Sequence, residues 1–258
     1  MSVNPYDSPK TRGQPPEPPP AKRGFRLLEL LAVVGVIGLL IALLLPAVRT
    51  SGEAARRSQC SGHLKQIAVA LWNYEAEYHC FPPAYTVDAA GKPLHSWRTL
   101  ILPYLEQRAL YEKIDLSKPW DDPANQTARE TRVSVYQCPS ADVAAGQTTY
   151  LAVVSPGSCL RPAEPRPLAE ISDDHNQTLV AIEVVPEHTV YWMSPKDASE
   201  PVVVSFASAG QLPHPGGAQA LCVSGQVRFL SQSIKPATLR ALISVAGDDD
   251  QVAGQAND

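Results

Sequence analysis

Residues 30–48 contain no charged side chain, and a glutamate, Glu29, stands immediately before them. Few folds accommodate such a run. Counted from Phe25 it holds 24 residues, about 36 Å of helix at 1.5 Å per residue, enough to cross a hydrocarbon layer of roughly 30 Å. A secretory signal has a shorter apolar stretch followed by a small-residue cleavage site. Here "LLLPAVRTSGEAARR" runs straight into a polar helical pattern, so the segment is expected to be retained as a single membrane span over residues 25–48. Lys10, Arg12, Lys22, Arg23 and Arg26 precede it, against Arg49, Arg56 and Arg57 close behind. This bias predicts a cytoplasmic N-terminus and an extracytoplasmic bulk.

The flanks divide the chain further. Seven prolines fall before Lys22 in a stretch almost free of apolar residues. Residues 1–24 are therefore expected to form a disordered, Pro-rich leader. Residues 248–258, opening on Asp248, Asp249 and Asp250, read as a disordered acidic tail. Residues 49–247 are left for one extracytoplasmic domain. The net charge of −4 gives no basic field for nucleic acid. Cysteines 60, 80, 138, 159 and 222 would lie on the oxidising side, where disulfides persist. Their number is odd, so at least one thiol is free or paired between chains. None has C-x-x-C spacing, which argues against zinc or thioredoxin-like chemistry.

A carboxylate inside a membrane is costly and asks for a partner, unless Glu29 lies at the interface and reaches water. The order Gly24–Phe25–Arg26–Leu27–Leu28–Glu29, behind a basic leader, resembles the type IV prepilin and pseudopilin signature. The resemblance implies that prepilin peptidase cuts between Gly24 and Phe25 and that Phe25 is then N-methylated. It also gives Glu29 a role in assembly: in a filament the new amine of one subunit neutralises the glutamate of its neighbour. Such a pair in a dry bundle penalises misregistered subunits. Pro46 matches the proline that the family carries along this helix, where it bends the rod.

Beyond Pro46, Leu64, Ile67, Ala68, Leu71, Glu75 and Tyr78 recur at helical spacing, apolar except for Glu75. One helix is predicted from about Phe25 to about Tyr78, ended by Pro82 and Pro83, its outer half needing a sheet to cover. Gly62 weakens it slightly. Residues 96–114 read as helical turns, and a short helix opens at Pro123. Strand patterns follow at 133–138, 148–154, 178–185 and 189–193. Residues 218–223 and 226–230 flank Ser224–Gly225 as a hairpin, and Pro236 opens a last helix that Gly247 stops. Helices first and strands later make the fold class α+β: a long N-terminal helix, half membrane and half amphipathic, packed on a mostly antiparallel sheet as in pseudopilins.

Most of residues 25–247 also resemble a large group of prepilin-type proteins of unknown function. That group carries a C-terminal histidine followed, after nine residues, by Asp-Gly. The stretches that carry the likeness include "RRSQCSGHLKQIAVALWNYEAEY", "FPPAY", "SWRTLILPYLEQRALY", "YQCPS" and "HPGGAQALCVSGQVRFLSQSI". Here the histidine is His214, and Ser224–Gly225 stands in place of Asp-Gly. A turn survives that exchange; a metal or acid role that needed the carboxylate does not.

Chemistry is otherwise sparse. No histidine pair has metal-ligand spacing, no Ser sits in a G-x-S-x-G elbow, and no Gly-rich phosphate loop follows a strand. Asp121 and Asp122 lack the repeated oxygen ligands of a calcium loop. Trp72, Trp97, Trp120 and Trp192 form either core or a sugar-binding surface. Cys60, on the amphipathic helix, and Cys138, at the end of a strand expected to pack on it, would clamp helix to sheet if bridged, contributing about 2–4 kcal/mol. Two small buried thiols are the other arrangement. The expectation is a non-enzymatic, cofactor-free and metal-free pseudopilin-like subunit of the bacterial cytoplasmic membrane. It would assemble with other pilin-like subunits in a type II secretion or type IV pilus-like system, or at a surface filament. The alternative is a monomeric, membrane-anchored binding module for glycans or another surface ligand.

Overall fold

The computed structural model describes residues 27–205 and 211–247; of residues 28, 29 and 42–51 it describes the backbone only. The leader, Gly24, Phe25 and the acidic tail lie outside the described residues, as do the side chains of Glu29 and Pro46. The first helix, α1, is Leu27–Tyr78. The chain divides into two units, residues 1–48 and 49–258.

In the first unit every described side chain from residue 30 to 41 is exposed, including Leu31 (61%) and Leu39 (62%). The helix is apolar on all sides there and has no polar face. Among the described residues no helix is long and apolar enough to cross a membrane.

The second unit is α+β. Its strands are β1 (Tyr85–Val87), β2 (Pro93–Ser96), β3 (Gln147–Thr148), β4 (Tyr150–Val154), β5 (Leu179–Glu183), β6 (Val190–Tyr191), β7 (Ala198–Ser199), β8 (Gly217–Cys222) and β9 (Val227–Ser231). Its helices are α1 from residue 49 on and the short α2 (Trp97–Leu100), α3 (Arg108–Tyr111), α4 (Gln126–Arg129), α5 (Glu200–Ser205) and α6 (Pro236–Ile243). The main sheet runs β7-β4-β5-β8-β9. Its pairs are antiparallel except β4 with β7.

Side-chain alternation along the strands feeds two cores. Tyr150 and Ala152 of β4 join Cys60, Leu64, Ile67, Ala68 and Leu71 of α1. Leu151 and Val153 point into the other cluster, with Val203 of α5 and Leu239, Leu242 and Ile243 of α6. The sheet is thus a middle layer between α1 and the pair α5/α6. The sequence reading had a helix on one face only and did not include α5.

Three further expectations need correction. Residues 133–138 are not a strand. Ser134–Tyr136 is a 3-10 turn, held because the buried Tyr136 hydroxyl donates to Arg98 O (2.6 Å) and Thr148 Oγ1 donates to Tyr136 O. These tertiary contacts outweigh the β-propensity of the segment. The strand expected over 189–193 shrinks to Val190–Tyr191 and pairs with β3, outside the main sheet. Beyond it, Trp192 turns inward and donates from Nε1 to Thr131 O. The first helix ends at Tyr78, where it was expected to, but His79, with φ +58° and its N–H donating back to Glu75 O, closes it ahead of Pro82 and Pro83. Tyr78, expected in the buried stripe, is 53% exposed.

Candidate functional site: a buried histidine between two glutamates beside a disulfide

Four segments far apart in the chain meet at one end of the main sheet. Glu53 and Cys60 lie two turns apart on α1, hence on the same face. Cys138 follows the 3-10 turn, Glu183 is the last residue of β5, and His214 precedes β8. Backbone pairing between His214 and Gly217 in both directions holds the histidine at the strand's entrance. Cys60 and Cys138 are bridged, with Cα atoms 5.3 Å apart. Cys138 is further fixed by its N–H, which donates to Thr149 Oγ1.

The His214 side chain is fully buried. Its Nδ1 lies 2.7 Å from Glu53 Oε1 and its Nε2 lies 3.2 Å from Glu183 Oε2. Nε2 is also 3.8 Å from Cys138 Sγ. Glu183 is fully buried too; its Oε2 accepts from Gln219 N, and its Oε1 has no hydrogen-bond partner among the described residues. Glu53 is partly exposed, with its Oε2 paired to Arg56. Burial presses the His214 pKa down, but hydrogen bonds and charge from Glu183 and then Glu53 outweigh it, and the pKa is raised. For Glu53, burial pushes up and the bonds from His214 and Arg56 win, so its carboxyl is lowered. With both ring nitrogens facing carboxylate oxygens, the imidazolium is the form that satisfies both as a donor. The donor atoms of Cys60, Cys138, Glu183 and His214 all lie within 4.8 Å of one another.

His214 and Ser224 do not meet. They stand at opposite ends of β8, whose six residues span about 17 Å at 3.4 Å per step. Ser224–Gly225 makes the β8–β9 turn: Ser224 Oγ accepts from Gln226 N, Gly225 has φ +86°, and Gly225 N donates to Cys222 O. The nine-residue spacing is therefore the length of one strand with its approaches, not the geometry of one site. The tryptophans do not form one platform. Trp97 and Trp192 are fully buried, Trp72 donates to Val223 O, and Trp120 pairs with Tyr191 at 5.8 Å. Asp122 caps a 3-10 turn by accepting from Ala124 N.

Glu53 and Glu183 were not singled out from sequence. Glu53 stands seven residues ahead of Cys60 on a helix. Glu183 is a lone carboxylate within "TLVAIEVV", whose β5 neighbours are all buried. Each is a signal that could have drawn notice.

Residues 50–166 match the family described as a protein of unknown function (DUF1559). Over 59 residues, 23% of this chain, the sequence is 36% identical to the type II secretion system core protein G of Pseudomonas aeruginosa. The chain spans 42% of the length of that relative. The chain is pseudopilin-like and carries a DUF1559 domain. No solved structure gives a significant match. The DUF1559 match contains Glu53, Cys60 and Cys138, while Glu183 and His214 reach the site from the chain beyond it.

Proposed function

We propose that this chain is a structural, non-enzymatic pilin-like subunit. Prepilin peptidase cleaves it after Gly24, Phe25 is N-methylated, and the mature chain sits in the cytoplasmic membrane with its DUF1559 domain outside. It then assembles through the N-terminal helix with other pilin-like subunits, in a type II secretion or type IV pilus-like system. The observation that carries this reading is the uncharged run from residue 30 to 41, ten apolar side chains and two glycines exposed around the whole helix, directly behind Gly24–Phe25 and Glu29. Such a surface is stable in lipid or against identical helices, not in water. The likeness to the secretion-system core protein G supports the same reading. Glu29 supplies register by pairing with a neighbour's N-terminal amine.

Intact-mass analysis of native protein, combined with pelleting of sheared filaments, tests this. Wild type is expected to begin at methylated Phe25 and to pellet. Glu29→Gln should insert and be cleaved normally, because removing the charge lowers the cost of burial, yet fail to assemble. A mature chain that retains residues 1–24 in a host with active prepilin peptidase, or wild-type filaments from Glu29→Gln, would sink the proposal.

A further inference from the structure

We propose that the dithiol form of this chain binds one Zn²⁺ through Cys60 Sγ, Cys138 Sγ, His214 Nε2 and a Glu183 carboxylate oxygen, with Glu53 as the outer-shell partner of His214. The site and the disulfide are alternatives, since a closed bridge commits both sulfurs to each other.

Geometry carries the assignment. Tetrahedral zinc, with Zn–S near 2.3 Å and Zn–N and Zn–O near 2.0–2.1 Å, places sulfur and nitrogen about 3.6 Å apart and nitrogen and oxygen about 3.4 Å apart. The chain holds Cys138 Sγ and His214 Nε2 at 3.8 Å, and His214 Nε2 and Glu183 Oε2 at 3.2 Å. Two thiolates on one zinc sit about 3.8 Å apart, a separation that opening the bridge provides without backbone travel, since the two Cα atoms are 5.3 Å apart. All four side chains are buried, and their donor atoms fall within 4.8 Å of one another.

Three details fit a metal better than a random polar cluster. Ligating histidines commonly donate their second ring N–H to a carboxylate, which fixes the tautomer and the ring orientation. Glu53 Oε1, 2.7 Å from Nδ1, does this and is itself tied down by Arg56. Nε2 then faces Glu183 Oε2 at 3.2 Å; a proton fills that gap in the imidazolium, and once that proton leaves the lone pair and the carboxylate oxygen converge on one point where a metal ion can take its place. Glu183 Oε1, fully buried, has no partner among the described residues, leaving an oxygen free to ligate. Two thiolates, one imidazole and one carboxylate are donors that suit zinc over magnesium or calcium.

The exchange between states balances. Oxidation couples the two thiolates into the disulfide and passes two electrons to an oxidant such as diamide. Diamide takes up two protons to become its hydrazine, and the metal leaves as the unchanged divalent ion. The inference concerns the outer unit and stands apart from the assembly reading.

Co²⁺ and Zn²⁺ are the probes, on the full chain in detergent. The chain is reduced with a phosphine in the presence of Co²⁺, and thiol titration confirms that the bridge has opened. The expected result is a sulfur-to-cobalt charge-transfer absorption with tetrahedral visible bands at one metal per chain. Zn²⁺ should displace the cobalt, and diamide should abolish the absorption. His214→Gln and Glu183→Gln should each weaken binding by a factor of ten or more. Glu53→Leu should weaken it about 10–100-fold, while Glu53→Gln, which still accepts from Nδ1, stays within about tenfold of wild type. Cys222→Ser, at a buried thiol outside the site, should bind as wild type does. A reduced wild-type chain with no charge-transfer absorption would overturn the proposal irrespective of how any variant folds. So would equal binding by the oxidised chain, or undiminished binding by both His214→Gln and Glu183→Gln.

Discussion

Replacing Asp197 by Ala should cost the second unit about 4 kcal/mol, whereas Asp197→Asn should cost about 1–2 kcal/mol. Asp197 lies in the core against the fully buried Arg98, at 2.5 Å from Nη1. Its Oδ1 also accepts from Ala152 N at 2.8 Å and Trp97 Nε1 at 3.2 Å. Alanine strands the Ala152 and Trp97 donors and leaves Arg98 without its counter-charge. Breaking a buried ion pair from one side costs about 3–5 kcal/mol, and an orphaned buried donor about 1–3 kcal/mol. The total is held down because Arg98 keeps four carbonyl acceptors, on Trp192, Tyr150, Ser194 and Lys196. Asparagine keeps an acceptor at the Oδ1 position and loses only the charge assistance, about half of each bond's strength. Its amide takes the place of Oδ2, which has no hydrogen-bond partner among the described residues, so one unsatisfied group replaces another. At roughly 2–4 °C per kcal/mol for a domain of this size, Asp197→Ala should lower Tm by about 8–16 °C. Calorimetry at low and high salt checks this, and the difference should persist in high salt because a buried pair is poorly screened. A loss below about 1 kcal/mol for alanine, or equal losses for alanine and asparagine, would refute the assignment of Asp197 as the acceptor that holds this core together.

Two shorter tests concern the same unit. Gly62 lies on α1 with open space where a Cβ would go, so Gly62→Ala should stabilise by up to about 1 kcal/mol, read from chemical denaturation. Cys159 and Cys222 are buried, and burial raises their thiols to about 12 and about 11. In the folded, oxidised chain at neutral pH, iodoacetamide should therefore modify Cys80 and spare both; peptide mass mapping that finds Cys159 or Cys222 labelled at the rate of Cys80 would contradict their placement.

Local periodicity made part of this architecture legible. The stripe Leu64, Ile67, Ala68, Leu71 is buried as its 3.6-residue spacing requires. The hairpin around Ser224–Gly225 falls within a residue of its expected bounds, because a short loop between alternating strands leaves little choice of register. Residues 133–138 misled, since strand propensity says nothing of whether a neighbouring strand is there to pair with. Tyr136 instead finds Arg98 O, far away in sequence. The site was least legible. A fixed spacing invited His214 and Ser224 to be read as one feature, yet a strand separates them. The partners His214 does meet, Glu53 and Glu183, lie 161 and 31 positions away in the chain. No window of local sequence contains that triad; only the topology of α1, β5 and β8 assembles it.

The Cys60–Cys138 bridge also decides how the domain carries load. Tension applied between the two ends of the chain enters through α1 and, on reaching Cys60, can pass directly across the sulfurs to Cys138. The 78 residue steps that separate the two cysteines, roughly 260–280 Å of contour at 3.3–3.6 Å per residue, are then excluded from extension. They include the buried half of α1, both strands of β1/β2 and helices α2 to α4. A pull on the oxidised chain can draw out the helix ahead of residue 60 and peel the strands after residue 138. The segment between them stays slack until the bridge is reduced.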